Sequence, residues 1–517
     1  MGEIVSGERR LGEQGLRERA ARAAAGLKSL GVGAGDVVAL FLRNDFALFE
    51  ASFAAGMLGA YPTPVNWHYV AEEAGYVFAD CGAKVIVIHA DLLPGIAQAI
   101  PSGVGVLVVE TPPEIQAAYG LQADACVVQP GWSDWDVWRD SFAAHDEPPH
   151  PSPSSMIYTS GTTGRPKGVR RAPFDPQLAQ EAAATQRICF GITAENAGQV
   201  VTVMVGPMYH SAPNYYGLMC AQLGAAVHLQ ARFEAEDLLR RIEQDRVTHL
   251  HLVPIMFNRL LKLPAEVRAK YDLSSLAFVV HAAAPCPPSV KEQMIDWWGP
   301  IISEYYGSTE TGVVVACDSQ QWLAHRGTVG TALPGAEVRV IDAEGRPLPA
   351  GEVGEVVARW NQRADFTYHG DQAKREAAEK GGLISPGDVG YLDEDNFLHL
   401  CDRAVDMIIS GGVNIYPAEV EAALQRMPGV VDCAVFGIPD DEYGEAVYAA
   451  VQTEAGPEFS GVEFSEASVR SFLREHLAAF KVPRRIGFYD TLPREDSGKI
   501  FKRKLRDEFW RLEGRQI

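Results

Sequence analysis

No two of the eight cysteines (Cys81, Cys126, Cys189, Cys220, Cys286, Cys317, Cys401, Cys433) stand at C-x-x-C spacing, and no histidine cluster accompanies them at zinc-ligand distance. That argues against structural zinc and for reduced, mostly buried thiols. Positive charge is scarce as well. Against 67 Asp and Glu the chain has 46 Lys and Arg, a formal charge of −21, which makes general affinity for nucleic acid or anionic lipid a poor first reading. No apolar run reaches the length of a membrane span. The uncharged segment 196–231 is interrupted by Gly206, Pro207, His210, Pro213 and Asn214, and it reads as protein interior. The first fifteen residues lack the apolar core of a signal peptide, so a cytoplasmic location is expected. Internal repeats and low-complexity stretches are missing too.

What is present is the composition of a large globular protein. Of 517 residues 47% are apolar and 22% charged, enough for two or more packed domains. Short β-branched runs such as DVVALFL and AKVIVIHA alternate with helical stretches, the pattern of strand–helix units around parallel sheets. From about Thr328 turn dipeptides and two-residue alternation take over and predict antiparallel hairpins. After LHLCDR (398–403) strand and helix patterns restart, so a boundary is expected near Asp402–Val405. From Lys481 onward eleven Lys or Arg face six Asp or Glu. This basic tail is either a solvated face or a contact for a phosphorylated ligand.

The strongest chemical signal is SMIYTSGTTGRPKGVRR, starting at Ser155: an apolar strand that breaks into a hydroxyl- and glycine-rich loop ending in Lys167. Gly161, Gly164 and Gly168 let backbone N–H groups approach an anion, Thr159, Ser160, Thr162 and Thr163 add hydroxyl donors, and Lys167 adds charge. The order G-T-T-G-R-P-K-G is not that of a Walker A loop.

At these residues the chain resembles the adenylate-forming superfamily: acyl-CoA synthetases, luciferases and the adenylation domains of peptide synthetases. Four further blocks stand in the family's order, PMYHSAP (207–213), YYGSTETG (305–312), the stretch from PGDVGYLD (386) to AEVE (421), and PREDSGKIFKRKL (493–505). The resemblance implies an α/β fold with a large N-terminal domain (1–401) of two α/β subdomains plus a small β-barrel, a hinge (402–406, with Asp402 and Val405) and a mobile α+β C-terminal domain (407–517). It also implies an AMP-forming acid–thiol ligase that uses ATP, Mg2+ and coenzyme A. The physical reading agrees. A carboxylic acid is already ionised at pH 7, so activating it on the α-phosphate of ATP needs no general base, only cations and oriented donors to bring two anions together.

Carried over residue by residue, the resemblance gives Thr309 the α-phosphate, Glu310 the magnesium with Thr159, Tyr306 the adenine beside Ala283 and Gly307, and Asp388 the ribose hydroxyls. Arg403 meets ribose and phosphate, or alternatively forms an interdomain salt bridge. Lys499 bridges substrate carboxylate and α-phosphate, and Gly411 and Gly412 form the pantetheine tunnel after the small domain rotates. His210 stands at the mouth of the acyl tunnel or packs in the core. Tyr215, Tyr216, Met219, Ala282 and Ala284 are candidate walls, and Gly307 leaves the tunnel open. No acid lies between Glu195 and Glu234 to pair the amino group of an amino acid. The expected substrate is therefore a medium- or long-chain, aromatic or ring-bearing acid. Lys502, Arg503 and Lys504 are candidates for the phosphates of coenzyme A. Where the family has Lys or Asp two residues after Arg403 this chain has Val405, with Asp406 next, so the pivot is either displaced or built on a β-branched residue. A carrier-protein loader and a luciferase-like oxygenase share these blocks and stay as alternatives. No nucleic acid or transmembrane segment is expected, and a homodimer is possible on this reading.

Overall fold

The computed structural model describes residues 2–159, 166–173, 175, 178–360, 364–403, 406–410, 413–440, 443–453, 464–494 and 500–512, with the backbone alone at 179–182, 403 and 512. The first strand–helix alternation forms a five-stranded parallel sheet, in the order Tyr61–Pro64, Val37–Phe41, Ala83–His89, Gly105–Val109, Ser133–Asp134. In Ala83–His89 every residue but Lys84 is buried, as a strand covered on both faces requires. A second sheet has nine strands. Six are parallel: Glu3–Ser6, Ala226–Leu229, Val201–Met204, His249–Leu252, Phe278–His281 and Ile302–Ser308. Arg9–Gly12 and Gly312–Cys317 flank them antiparallel.

One core joins the two sheets. Helices Glu13–Ser29, Phe46–Met57 and Ser211–Leu223 contribute to it together with Leu40 and Val87 of the first sheet and Met204 and Leu229 of the second. Phe46–Met57 is apolar nearly all round because it is sandwiched between layers. Its one carboxylate, Glu50, is buried but accepts hydrogen bonds from Trp135 Nε1 at 2.9 Å and Arg139 at 2.8 Å.

The hairpin-rich stretch forms a six-stranded antiparallel sheet of Ala336–Ile341, Gly354–Trp360, Glu379–Lys380, Leu383–Ile384, Asp388–Leu392 and Leu398–Arg403. Among the described strands no pairing closes it into the expected barrel. Ile157–Thr159, Lys167–Arg171 and Phe366–Tyr368 make a separate three-stranded sheet. The C-terminal sheet pairs Val430–Asp440 with Gly444–Thr453, and the latter runs parallel to Arg485–Tyr489. Strict alternation gives this sheet two apolar faces. Val435, Val447 and Ala449 pack with helices Pro417–Leu424 and Glu466–Arg474, while Phe436, Ile438 and Tyr448 pack with Leu505 and Phe509 of Lys502–Leu512.

The pairing of Ile302–Ser308 with Gly312–Cys317 shifts register between Tyr306 and Gly307. A Cβ built on Gly307 would stand 2.0 Å from the Gly312 carbonyl oxygen, so this bulge admits no side chain whatever the space on the cavity side. Gly307→Ala should therefore lower unfolding free energy by about 2 kcal/mol or more. Denaturant unfolding of the purified variant checks this, and an unchanged midpoint would show that the bulge relaxes freely.

Candidate active site

A cavity of about 2050 Å3 opens at the carboxyl ends of the parallel strands of the nine-stranded sheet, with Gly206, Val253, Ala283, Ser308 and Thr309 on its wall. Open parallel sheets bind their ligands at this edge. Thr159, the last described residue before the glycine-rich loop, lines it too, as do Glu310, Tyr368 and Lys374.

One buried cation holds the loop at 309–310. The Arg171 guanidinium donates to the carbonyls of Ala364 and Thr309, both at 2.8 Å, and to that of Glu310. Reciprocal bonds at 3.0 Å between Ser308 and Thr311 close the turn. The Thr309 hydroxyl donates to Ser211 Oγ at 3.2 Å, which brings the PMYHSAP loop against it. That loop is fixed in turn by Asn44, which donates to Gly206 O at 2.9 Å and accepts from Met208 N at 2.8 Å. His210 lines the cavity at the N-terminus of Ser211–Leu223, its ring 4.4 Å from Tyr209. Arg171 and Asn44 were not legible as site residues, because their partners lie 138 and 162 positions away.

Where the nucleotide was expected, the Tyr306 hydroxyl donates to Asp388 Oδ2 at 2.7 Å, and strand register sets Asp388 directly opposite Arg403. Three expected ligand contacts are thus brought together, although the Arg403 side chain lies outside the described residues. Lys167 opens the strand that follows the loop. Its ammonium stands 3.7 Å from Asp80, to which Tyr158 also donates at 2.7 Å. Partial burial pulls its pKa down, and Asp80 and Tyr76 more than reverse this, so it stays charged.

The acyl arm departs from the expected list. Tyr215, Met219, Ala284 and Gly307 line the cavity. Tyr216 and Ala282 do not: both are buried in the core, and the Tyr216 hydroxyl lies 3.0 Å from Thr202 Oγ1. Adjacent positions on a helix point about 100° apart, and here that turn carries Tyr216 away from the cavity and into the core. Phe190, His251 and Tyr305, which sequence reasoning missed, complete the arm. His251 stands on the strand HLHL, whose two histidines were readable as one face but not as a cavity face.

The sequence comparisons settle the family. Residues 3–364 match the AMP-binding enzyme family, and 419–499 match the AMP-binding enzyme C-terminal domain. The chain belongs to the AMP-binding enzymes. It is 31% identical over 97% of its length to the fatty acid–acyl-carrier-protein ligase ScoC of Streptomyces coeruleorubidus, covering 92% of that protein. It is 32% identical over 96% of its length to the feruloyl-CoA synthase of Amycolatopsis sp, covering 93%. Among solved structures, ATP-bound MatB from Rhodopseudomonas palustris superposes with a TM-score of 0.82 at 26% identity, over 98% of this chain and 96% of that one. The protein is therefore an ATP-dependent enzyme of the adenylate-forming acyl-CoA ligase group, with the α/β fold and separate C-terminal domain of those structures.

In this AMP-binding enzyme the donors available to a magnesium ion are hard oxygens. Glu310 and Thr159 share the cavity wall, and Tyr368 donates to Glu310 Oε1 at 2.9 Å. Among the described residues no group of three or more His, Cys, Asp or Glu could hold a metal by itself. Mg2+ is commonly held by one or two protein oxygens and the phosphates of its nucleotide, and Glu310 and Thr159 are oxygen donors of that kind. Of the C-terminal segment, Phe501 lines the cavity. Ser160, Gly161, Thr162, Thr163, Gly164, Val405, Gly411, Gly412 and Lys499 lie outside the described residues. Asp402 accepts from Ala418 N at 2.8 Å and so ties the end of strand Leu398–Arg403 to the first turn of Pro417–Leu424. Lys502 is not free for coenzyme A. It pairs with Glu421 at 2.8 Å, and although burial pulls its pKa down, Glu421, Asp402 and Asp406 raise it on balance. Arg503 is 3.4 Å from Asp507, and Lys504 lies over the Phe501 ring.

Burial lowers the pKa of His251 from 6.5 to about 4. The unfolded imidazole takes up a proton first as pH falls, so this residue's contribution to stability is complete above pH 6.5 and declines toward pH 4. Wild type should lose up to about 1.4 kcal/mol more per pH unit across that window than His251→Leu. Urea midpoints between pH 7 and 4 measure the difference, and parallel profiles would mean that the folded His251 titrates normally.

Proposed function

We propose that the protein joins a hydrophobic, ring-bearing or medium- to long-chain carboxylic acid to coenzyme A through an acyl-adenylate. The observation that carries this reading is the shared wall. Thr159, Thr309 and Glu310 line the same cavity as the uncharged surface of Phe190, Tyr215 and Met219, so phosphate chemistry and an apolar acid meet in one space. The activity that names the feruloyl-CoA synthase, 32% identical to this chain, supports it. The name of ScoC keeps a carrier-protein thiol as the second reading for the acceptor.

In the first step a carboxylate oxygen attacks the α-phosphorus, the bond to the β-phosphate oxygen breaks, and pyrophosphate leaves. No proton moves. Thr309 donates to the α-phosphate, Asp388 receives the ribose hydroxyls, and Lys499 offsets repulsion between the two anions. Glu310 and Thr159 would hold Mg2+, which would supply charge neutralisation on the phosphates. In the second step the small domain turns about 402–406 and withdraws Lys499. Gly411 and Gly412 then admit the pantetheine arm. The thiol sulfur bonds to the acyl carbon, its proton is lost, and AMP departs with the electron pair of the broken acyl–oxygen bond. A cytoplasmic location is consistent with eight unpaired cysteines. No helix among the described residues is long and apolar enough to cross a membrane. A homodimer also belongs to the proposal.

The experiment separates the two steps. Lys499→Ala should form acyl-adenylate at least about a hundredfold more slowly, yet convert presynthesised acyl-adenylate and coenzyme A to thioester at nearly the wild-type rate. Equal loss in both steps would remove the rotating-domain mechanism.

A further inference from the structure

Among the rings on one wall of the cavity stands a buried polar pair. Phe190 packs at centroid distances of 5.9 Å from Tyr215, 5.6 Å from Tyr305 and 6.5 Å from His251. Within these rings His251 Nε2 and the Tyr305 hydroxyl lie 2.8 Å apart. Both residues are more than nine-tenths buried, and both line the cavity. They stand on His249–Leu252 and Ile302–Ser308, two of the parallel strands whose carboxyl ends open into it.

Burial holds the pair uncharged. It lowers His251 to about 4 and raises the Tyr305 phenol, and no Lys, Arg, Asp or Glu is among the groups that shift either one. A phenol has one proton to donate and two lone pairs, while the bond to His251 uses one position. If the imidazole donates, the phenolic proton is left for the cavity; if the phenol donates, its lone pairs are. A hydrogen-bonding group in an apolar wall discriminates strongly, because a ligand lacking the matching atom leaves it desolvated and unmatched. With no cation or anion among the described groups that shift it, the pair rewards neither a second carboxylate nor an ammonium.

We propose that His251 and Tyr305 form a specificity subsite for a neutral oxygen, a hydroxyl or ketone borne on the ring of the acid at a distance from the reacting carboxylate. This rests on the ligase reading above and narrows its substrate class.

The test uses the full-length enzyme with ATP, Mg2+ and coenzyme A, and reads AMP release for 3-(4-hydroxyphenyl)propanoic, 3-phenylpropanoic and 3-(4-carboxyphenyl)propanoic acids, with octanoic acid as a ringless arm. Wild type should favour the hydroxylated acid over its parent by about tenfold or more in kcat/KM and discriminate against the dicarboxylic acid. In Tyr305→Phe the hydroxyl-to-parent ratio should collapse to within about threefold. Should Tyr305→Phe not melt cooperatively, His251→Leu carries the same ratio test. A ratio that survives in the variant, a wild-type preference for the parent, or turnover of octanoic acid alone overturns the subsite and leaves the ligase reading standing. AMP release from none of the four acids overturns the proposed acid class, and the subsite with it.

Discussion

The buried guanidinium of Arg171 is the constraint on which the site depends. It stands at the end of a strand in the three-stranded sheet and donates to carbonyls at 309 and 310, in a turn of the nine-stranded sheet, and at 364, ahead of strand Phe366–Tyr368. Arginine suits this role because its donors are fixed in one plane and its charge survives burial. A lysine has the charge but not the fork. Tyr368, on the third strand of the same small sheet, then meets the Glu310 carboxylate, so a single cation sets both the backbone and, through its neighbour, the acid of the phosphate side.

From that anchor the cavity divides by electrostatics. The side proposed for the phosphates has the hydroxyls of Thr159 and Thr309 and the carboxylate of Glu310. The side proposed for the acid has rings and the neutral His251–Tyr305 pair. On the proposed reading, separation of this kind would hold two anions near one another at one end while the rest of the acid is recognised by shape and apolar contact.

The motifs were legible because anion chemistry concentrates glycines, hydroxyls and cations within a few consecutive residues, as in 159–168. Strand alternation and the change to hairpins near Thr328 were readable for the same local reason. What sequence could not yield were partnerships made by the fold. Arg171 looked like one more basic residue after the loop, and Tyr216 like a companion of Tyr215 until helix phase put it in the core. Lys502 looked like part of a basic patch but pairs with Glu421, 81 positions earlier. Gly307 was read as open space for substrate, and its stricter reason is a carbonyl across a β-bulge.

Acid-dependent exchange of labelled pyrophosphate into ATP isolates the adenylation step and tests the organising role of Arg171 most directly. Wild type should exchange label only when an accepted carboxylic acid is present. Arg171→Lys, confirmed to melt cooperatively, should exchange at least about tenfold more slowly, a loss of about 1.4 kcal/mol in transition-state stabilisation. Exchange at the wild-type rate in Arg171→Lys would contradict the account.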